Sequence, residues 1–143
     1  MDELAFRSAR ELADALRRRA IGCAELLEHQ LARVARCNPR INAIVALDAE
    51  GARARARAAD EALARGERWG PLHGLPITIK DSFEVAGLPC TAGAPELARH
   101  RPAETAPAAR RLLEAGAIVF GKTNLPYYAG DFQSYNDVYG TTN

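Results

Sequence analysis

Apolar residues recur at helical spacing through the first part of the chain. Leu12 and Leu16 stand four apart behind Ser8-Ala9-Arg10-Glu11, which has the spacing of a capping box, so a first helix is expected there, closed by Gly22. Leu27, Leu31 and Val34 put an apolar stripe on a second helix from about Ala24. It is expected to stop near Asn38-Pro39, because proline lacks the N–H that the helical ladder needs. Ile41–Leu47 reads as a short strand. Asp48 can then cap a long alanine-rich helix that Gly66 ends.

The pattern changes at Trp69. From Gly70 to Thr91 the chain is rich in glycine and proline, interrupted by Ile77-Thr78-Ile79-Lys80, which alternates like a strand between tight loops. Thr105 is expected to cap a further helix, with Leu112 and Leu113 as its apolar contacts and Gly116 as its stop. Ala117–Phe120 is a continuous apolar run, the pattern of a strand covered on both faces. Strand, helix, strand predicts a parallel crossover and an α/β architecture. Leu125 to Asn143 has no strong period and reads as a long loop. The chain thus divides into a helical segment with one strand, residues 1–66, and an α/β segment around Lys80, residues 67–143.

Composition narrows the classes of function. At 48% hydrophobic and 26% charged residues the chain has the make-up of a globular protein. Its 19 basic and 18 acidic side chains leave a net charge of +1, without the cationic surplus that nucleic-acid binding needs. Arg53, Arg55 and Arg57 are diluted by Asp60 and Glu61 and read as a solvated helix surface. No apolar run has the ~20 residues of a membrane span, and the acidic start has no secretory pattern. Cys23, Cys37 and Cys90 are odd in number and lack a CxxC pair, so neither a disulfide framework nor a zinc site is expected. A reducing, cytoplasmic setting fits.

Gly116–Thr123 matches the phosphate-loop pattern GxxxxGK[ST] letter for letter. That loop follows a strand and opens a helix. Here the intervening residues are themselves the predicted strand, and Asn124-Leu125-Pro126 discourages a helix start, so nucleotide binding is rejected. His73 and His100 lack a second ligand at metal-binding spacing, and Cys90 lacks a nucleophile's signature; all three read as structural or solvated. Lys80 has two readings. It reaches water along its flexible stem, or Ile77, Ile79 and Phe83 desolvate it into a competent proton acceptor. Strand alternation sends Asp81 to the opposite face.

Several stretches in order resemble the amidase signature family. Gly70–Asp81, containing Gly-Leu-Pro-Ile-Thr-Ile-Lys-Asp, resembles its lysine segment. The likeness continues through Ala86–Pro89, Thr91-Ala92-Gly93, Leu113–Ala117, Gly121-Lys122-Thr123-Asn124 and Tyr139-Gly140-Thr141-Thr142-Asn143. Asn38–Ala43 resembles the family's N-terminal helix-to-strand joint. The resemblance implies the N-terminal portion of an α/β/α sandwich with a mixed sheet, incomplete in this chain. It implies a serine hydrolase of amide bonds, with a triad of nucleophilic serine, cis-peptide serine and lysine, and matches that lysine to Lys80.

The family's serines lie in and beyond a Gly-Gly-Ser-Ser-Gly-Gly stretch after Tyr-Gly-Thr-Thr-Asn. This sequence stops at Asn143, and Ser8, Ser82 and Ser134 do not stand in that motif. The expectation is therefore an amidase fragment, inactive alone, with a non-catalytic binding remnant as the alternative. Amidotransferase subunits of the family carry Asp-Glu-Phe after Asn-Met, whereas Asn124–Ser134 resembles stand-alone amidases. The resemblance puts Ala129 and Gly130 beside the scissile amide. It implies a small-molecule amide substrate for the intact relative, a possible homo-oligomer, and no cofactor, metal, nucleic acid or membrane.

Overall fold

The computed structural model describes residues 2–143. After a 3-10 turn at Asp2–Phe6, helix α1 spans Ala9–Arg17. Its start is the expected capping box. The Glu11 N–H donates to Ser8 Oγ at 3.3 Å, and the Ser8 N–H donates to Glu11 Oε2 at 2.7 Å. Leu12, Ala15 and Leu16 form its buried stripe.

Helix α2 spans Cys23–Ile41 and continues through Pro39, past the stop expected at Asn38-Pro39. The reason lies in the Asn38 side chain and carbonyl. Asn38 Oδ1 accepts from the Ala43 and Ile44 N–H groups at 3.0 and 2.9 Å, and the Asn42 N–H bonds Asn38 O at 2.7 Å. These bonds gather the last turn and offset the one ladder bond that Pro39 removes. Asn42, at φ +55°, then turns the chain, so the strand β1 is Ile44–Leu47, shorter than the Ile41–Leu47 run.

Helix α3, Ala49–Ala64, is capped by Asp48, whose Oδ1 accepts from the Gly51 N–H at 3.0 Å. Ala52, Ala56, Ala59 and Ala62 are its buried face. Their missing bulk lets the carboxylate of Asp60, on the next flank, reach the start of α2, where it accepts from the N–H groups of Cys23 and Ala24 at 2.7 and 3.0 Å. The arginine cluster is solvated as expected. Arg53 pairs with Glu28 and Glu50, and Arg55 lies over the Trp69 ring, 4.6 Å from its centroid.

Strand β2, Pro76–Lys80, leads through a long loop to helix α4, Pro107–Glu114, and then to strand β3, Ile118–Thr123. Thr105 does not cap α4. Proline at the first helical position starts it behind Ala106, which makes no side-chain cap bond, and the Thr105 hydroxyl accepts from the Ala86 N–H at 3.0 Å instead. Gly116, at φ +94°, ends the helix where a Cβ would stand 2.8 Å from His73 Cα.

The sheet order is β1-β3-β2, with β1 antiparallel and β2 parallel to the central β3. This mixed sheet contains the predicted parallel crossover, β2–α4–β3. One core joins Leu16, Leu26, Leu27, Ala56, Ile118 and Phe120 between the three N-terminal helices and the sheet. A second joins Ile79, Val85, Ala109 and Val119, with Leu113 packed against it, so helices cover both faces.

The tail is more ordered than the loop expected. Tyr127–Ala129 forms a 3-10 turn, and strands β4, Tyr135–Asn136, and β5, Gly140–Thr141, pair antiparallel. Asn136 is buried and its Oδ1 accepts from the Val138 and Tyr139 N–H groups at 2.9 and 2.8 Å. Asn42 Nδ2 donates to Tyr139 O at 2.7 Å, and Thr142 Oγ1 donates to Asn42 O at 2.7 Å. Side-chain amides, which leave no hydrophobic period, hold this segment against the α2–β1 joint. Among the described residues, no helix is long and apolar enough to cross a membrane.

Candidate active site around Lys80

Lys80 is the last residue of β2, and its Cα pairs with that of Thr123. Its side chain is exposed, not desolvated among Ile77, Ile79 and Phe83 as one reading of the sequence had it. The cause is its place at the end of an edge strand. Ile79 turns into the core beneath α4, Phe83 is itself 44% exposed, and among the described residues no strand pairs with the outer edge of β2. Lys80 and Phe83 line a shallow groove of about 170 Å³ with Thr78, Ala108 and Leu112.

Alternation sends Asp81 inward, as expected, and it is fully buried. The Thr91 N–H and hydroxyl both donate to Asp81 Oδ2, at 2.9 and 2.6 Å. Asp81 Oδ1 has no hydrogen-bond partner but lies 3.8 Å from the Nζ of Lys122, which is also fully buried. Lys122 donates to Pro89 O at 2.7 Å and to Asp81 O at 3.4 Å. Burial pushes the Lys122 ammonium below its ordinary pKa, while the Asp81 carboxylate works the other way.

Asp81, Thr91 and Lys122 each lie in a stretch that carries the family resemblance, but spacing alone does not bring the three together. The available signal is a lysine two residues beyond the apolar run of a doubly covered strand. The phosphate-loop match falls on that lysine, but Gly121-Lys122-Thr123 is strand throughout, and a Cβ on Gly121 would stand 2.7 Å from Ala46 O. No phosphate cradle forms there.

Ala129 and Gly130 sit at the end of the Tyr127–Ala129 turn, both exposed. Tyr128 and Ala129 take φ of +46° and +58°, left-handed values that a side chain disfavours. Three contacts hold them there. The Tyr128 N–H donates to Ala92 O at 2.8 Å, and the hydroxyls of Tyr127 and Tyr128 both donate to Glu96 Oε1, at 3.3 and 3.0 Å. Lys80 and this turn are linked indirectly, through Asp81, Thr91 and Ala92.

The remaining candidates have structural surroundings. His73 is buried; its Nε2 donates to Ala59 O at 3.1 Å and its Nδ1 accepts from the Trp69 N–H at 3.0 Å, which uses both ring nitrogens in packing the fold. His100 pairs with Glu84 at the surface. Cys23, Cys37 and Cys90 are free thiols, and burial raises the pKa of Cys90, away from a nucleophile's thiolate. Among the described residues, no group of three or more His, Cys, Asp or Glu is placed to hold a metal ion.

A mixed sheet between helical layers, with a lysine at the open end of an edge strand, defines a lysine-bearing α/β scaffold. The chain belongs to the amidase family, whose model matches residues 25–143. It is 37% identical over 142 residues to a glutamyl-tRNA(Gln) amidotransferase subunit from Acidothermus cellulolyticus, covering 99% of this chain and 28% of that protein. The corresponding subunit from Anaeromyxobacter sp. (strain K) is 39% identical over 137 residues, 96% of this chain and 28% of its own length. Among solved structures, an amidase superposes with a TM-score of 0.85 at 40% identity, over 95% of this chain and 31% of that one. The peptide amidase of Stenotrophomonas maltophilia superposes at 0.89 with 29% identity, over 99% of this chain and 30% of that one. The chain therefore spans under a third of the length of these relatives.

Proposed function

We propose that this chain is the N-terminal, lysine-bearing part of a hydrolase of carboxamide C–N bonds. Lys80 is its proton-transfer group, and Ala129 and Gly130 line the approach to the scissile amide. The observation that carries the reading is the placement of Lys80. It stands at the open end of a strand, above the buried Asp81, with the strained Tyr128–Ala129 turn tied to the same cluster. In the reaction, Lys80 takes, through the bridging serine, the proton of the nucleophilic serine as that serine attacks the carbonyl carbon. Collapse of the adduct breaks the C–N bond, and the proton passes to the leaving amine. Water then releases the acyl group. The serines and the oxyanion donors belong to the portion of the fold that this chain does not contain.

The 143-residue chain by itself is accordingly expected not to turn over amides. A base without a bound nucleophile forgoes orientation worth roughly 7–11 kcal/mol in well-aligned systems. Each missing oxyanion donor removes about 2.7–4 kcal/mol more. The test is to co-express the chain with the complementary C-terminal portion of a solved amidase and assay aryl and aliphatic amides. Hydrolysis is expected from the assembly, falling about 10²–10⁴-fold in Lys80→Ala, the usual worth of a positioned acid–base group. Activity indifferent to Lys80, or turnover by the chain alone, defeats the proposal.

A second reading rests on the curated relatives, which are amidotransferase subunits. In it the amide is glutamine and a partner receives the ammonia. The Asn124–Ser134 stretch, which resembles stand-alone amidases, favours the stand-alone reading. Preference of the assembly for glutamine over simple amides reverses that choice.

A further inference from the structure

We propose that the buried cluster of Asp81, Thr91 and Lys122 is the positioning element that sets Lys80 against the Tyr128–Gly130 turn. The inference rests on the reading of Lys80 and that turn as parts of one site, and it names the residues that keep them in register.

The path runs through three buried side chains, Asp81, Thr91 and Lys122, and ends at the exposed Lys80 and Tyr128. Lys80 is fixed from behind: the N–H of the next residue, Asp81, donates to Thr123 O at 3.0 Å, and the Asp81 carboxylate receives both donors of Thr91. The Thr91 hydroxyl also accepts from the Gly93 N–H at 3.1 Å, which shapes the loop around Ala92. Ala92 takes the left-handed φ of +49° there, and its carbonyl accepts the Tyr128 N–H. Lys122 crosses beneath this path, tying Pro89 O and the Asp81 carbonyl to the central strand.

Two features mark the cluster as more than packing. A buried ion pair is poor evidence of stabilisation, because desolvating two charges offsets their attraction. This one also leaves Asp81 Oδ1 without a hydrogen bond, a deficit that buried groups in native structures seldom carry. Secondly, among the 19 basic side chains only Lys80 and Lys122 are lysines. In a chain that otherwise uses arginine, lysine stands at the site proposed for proton transfer and at the slot behind it. The Lys122 ammonium, with three rotatable donors on a flexible stem, divides its bonds between Pro89 O and Asp81 O.

The test uses Thr91→Val, which removes the hydroxyl and keeps the shape, and Thr91→Ser, which keeps the hydroxyl. Two readouts are taken on the 143-residue chain. Hydrogen exchange by mass spectrometry, which tolerates self-association, follows residues 126–131. Acetic anhydride labelling follows Lys80 against the α-amino group. Thr91→Val is expected to speed exchange at 126–131 by about two- to tenfold, the worth of one hydrogen bond. Lys80 labelling is expected to change at least about twofold by the same measure, with α2 and α3 unaltered. Thr91→Ser is expected to match the parent in both. The proposal is overturned if neither readout moves, if one moves without the other, or if Thr91→Ser behaves like Thr91→Val. It is equally overturned if protection is lost across α2 and α3, which would make the cluster a folding element. Neither readout needs turnover, so an inactive assembly leaves this result standing and a failed coupling leaves the role of Lys80 untouched.

Discussion

At the scale of single residues, the chain keeps several ionisable groups neutral or paired by burying them. Cys23 shows this most strongly. Burial, and then the Asp60 carboxylate that caps the same turn, push its thiol from 9.0 up to about 12. The unfolded chain loses this proton near pH 9, whereas the folded chain keeps it until about 12. Between those values the unfolded state binds fewer protons, so stability falls as pH rises. Lys122, whose folded pKa is depressed, acts in the opposite sense up to its ordinary value of 10.5. Urea denaturation between about pH 8 and 11 is therefore expected to give a declining stability, with a shallower decline in Cys23→Ala. An identical slope in the variant would show that Cys23 does not titrate between the two states.

At the scale of elements, helix starts are set by side chains from unexpected places. Gly22 offers no side chain to cap α2, and Asp60 of α3 does so across the helix pair. The cap is thus a tertiary contact, and losing it loosens two helices at once. Asp60→Ala is expected to cost about 0.5–2 kcal/mol, the worth of a capping carboxylate. Exchange should quicken first at Cys23–Glu25. Fraying confined to the end of α3 would contradict this account.

At the scale of the whole molecule, the three-stranded sheet is bounded by β1 and β2, whose outer edges pair with no strand among the described residues. Beside β2 lies the groove under Phe83 and Leu112, both partly exposed, and Leu47 on β1 is half exposed. Unpaired N–H and C=O groups next to apolar surface invite pairing with another chain. The chain made alone is expected to self-associate in sedimentation velocity, with Leu112→Glu lowering the associated fraction. A sharply melting monomer at all concentrations would refute the expectation.

What the sequence determined by itself was whatever rests on local periodicity and end chemistry. The Ser8–Glu11 box, the Asp48 cap, the alanine-rich helix ended by Gly66, the two strands of the crossover and the inward turn of Asp81 were all legible, because each depends on neighbours within a few residues. The ordered motifs around Lys80 carried the family as well. Only the tertiary structure decided what depends on distant partners: α2 passing through Pro39 on Asn38, Asp60 capping α2, Thr105 serving Ala86, and Asn42 clasping the Tyr139–Thr142 segment. It also decided that Lys80 is open to water while Lys122 is buried beside Asp81. Lys80 ends the edge strand β2, whereas Lys122 lies within the central strand β3 in register with the buried Ile79, and that pairing across strands is what no window of sequence contains.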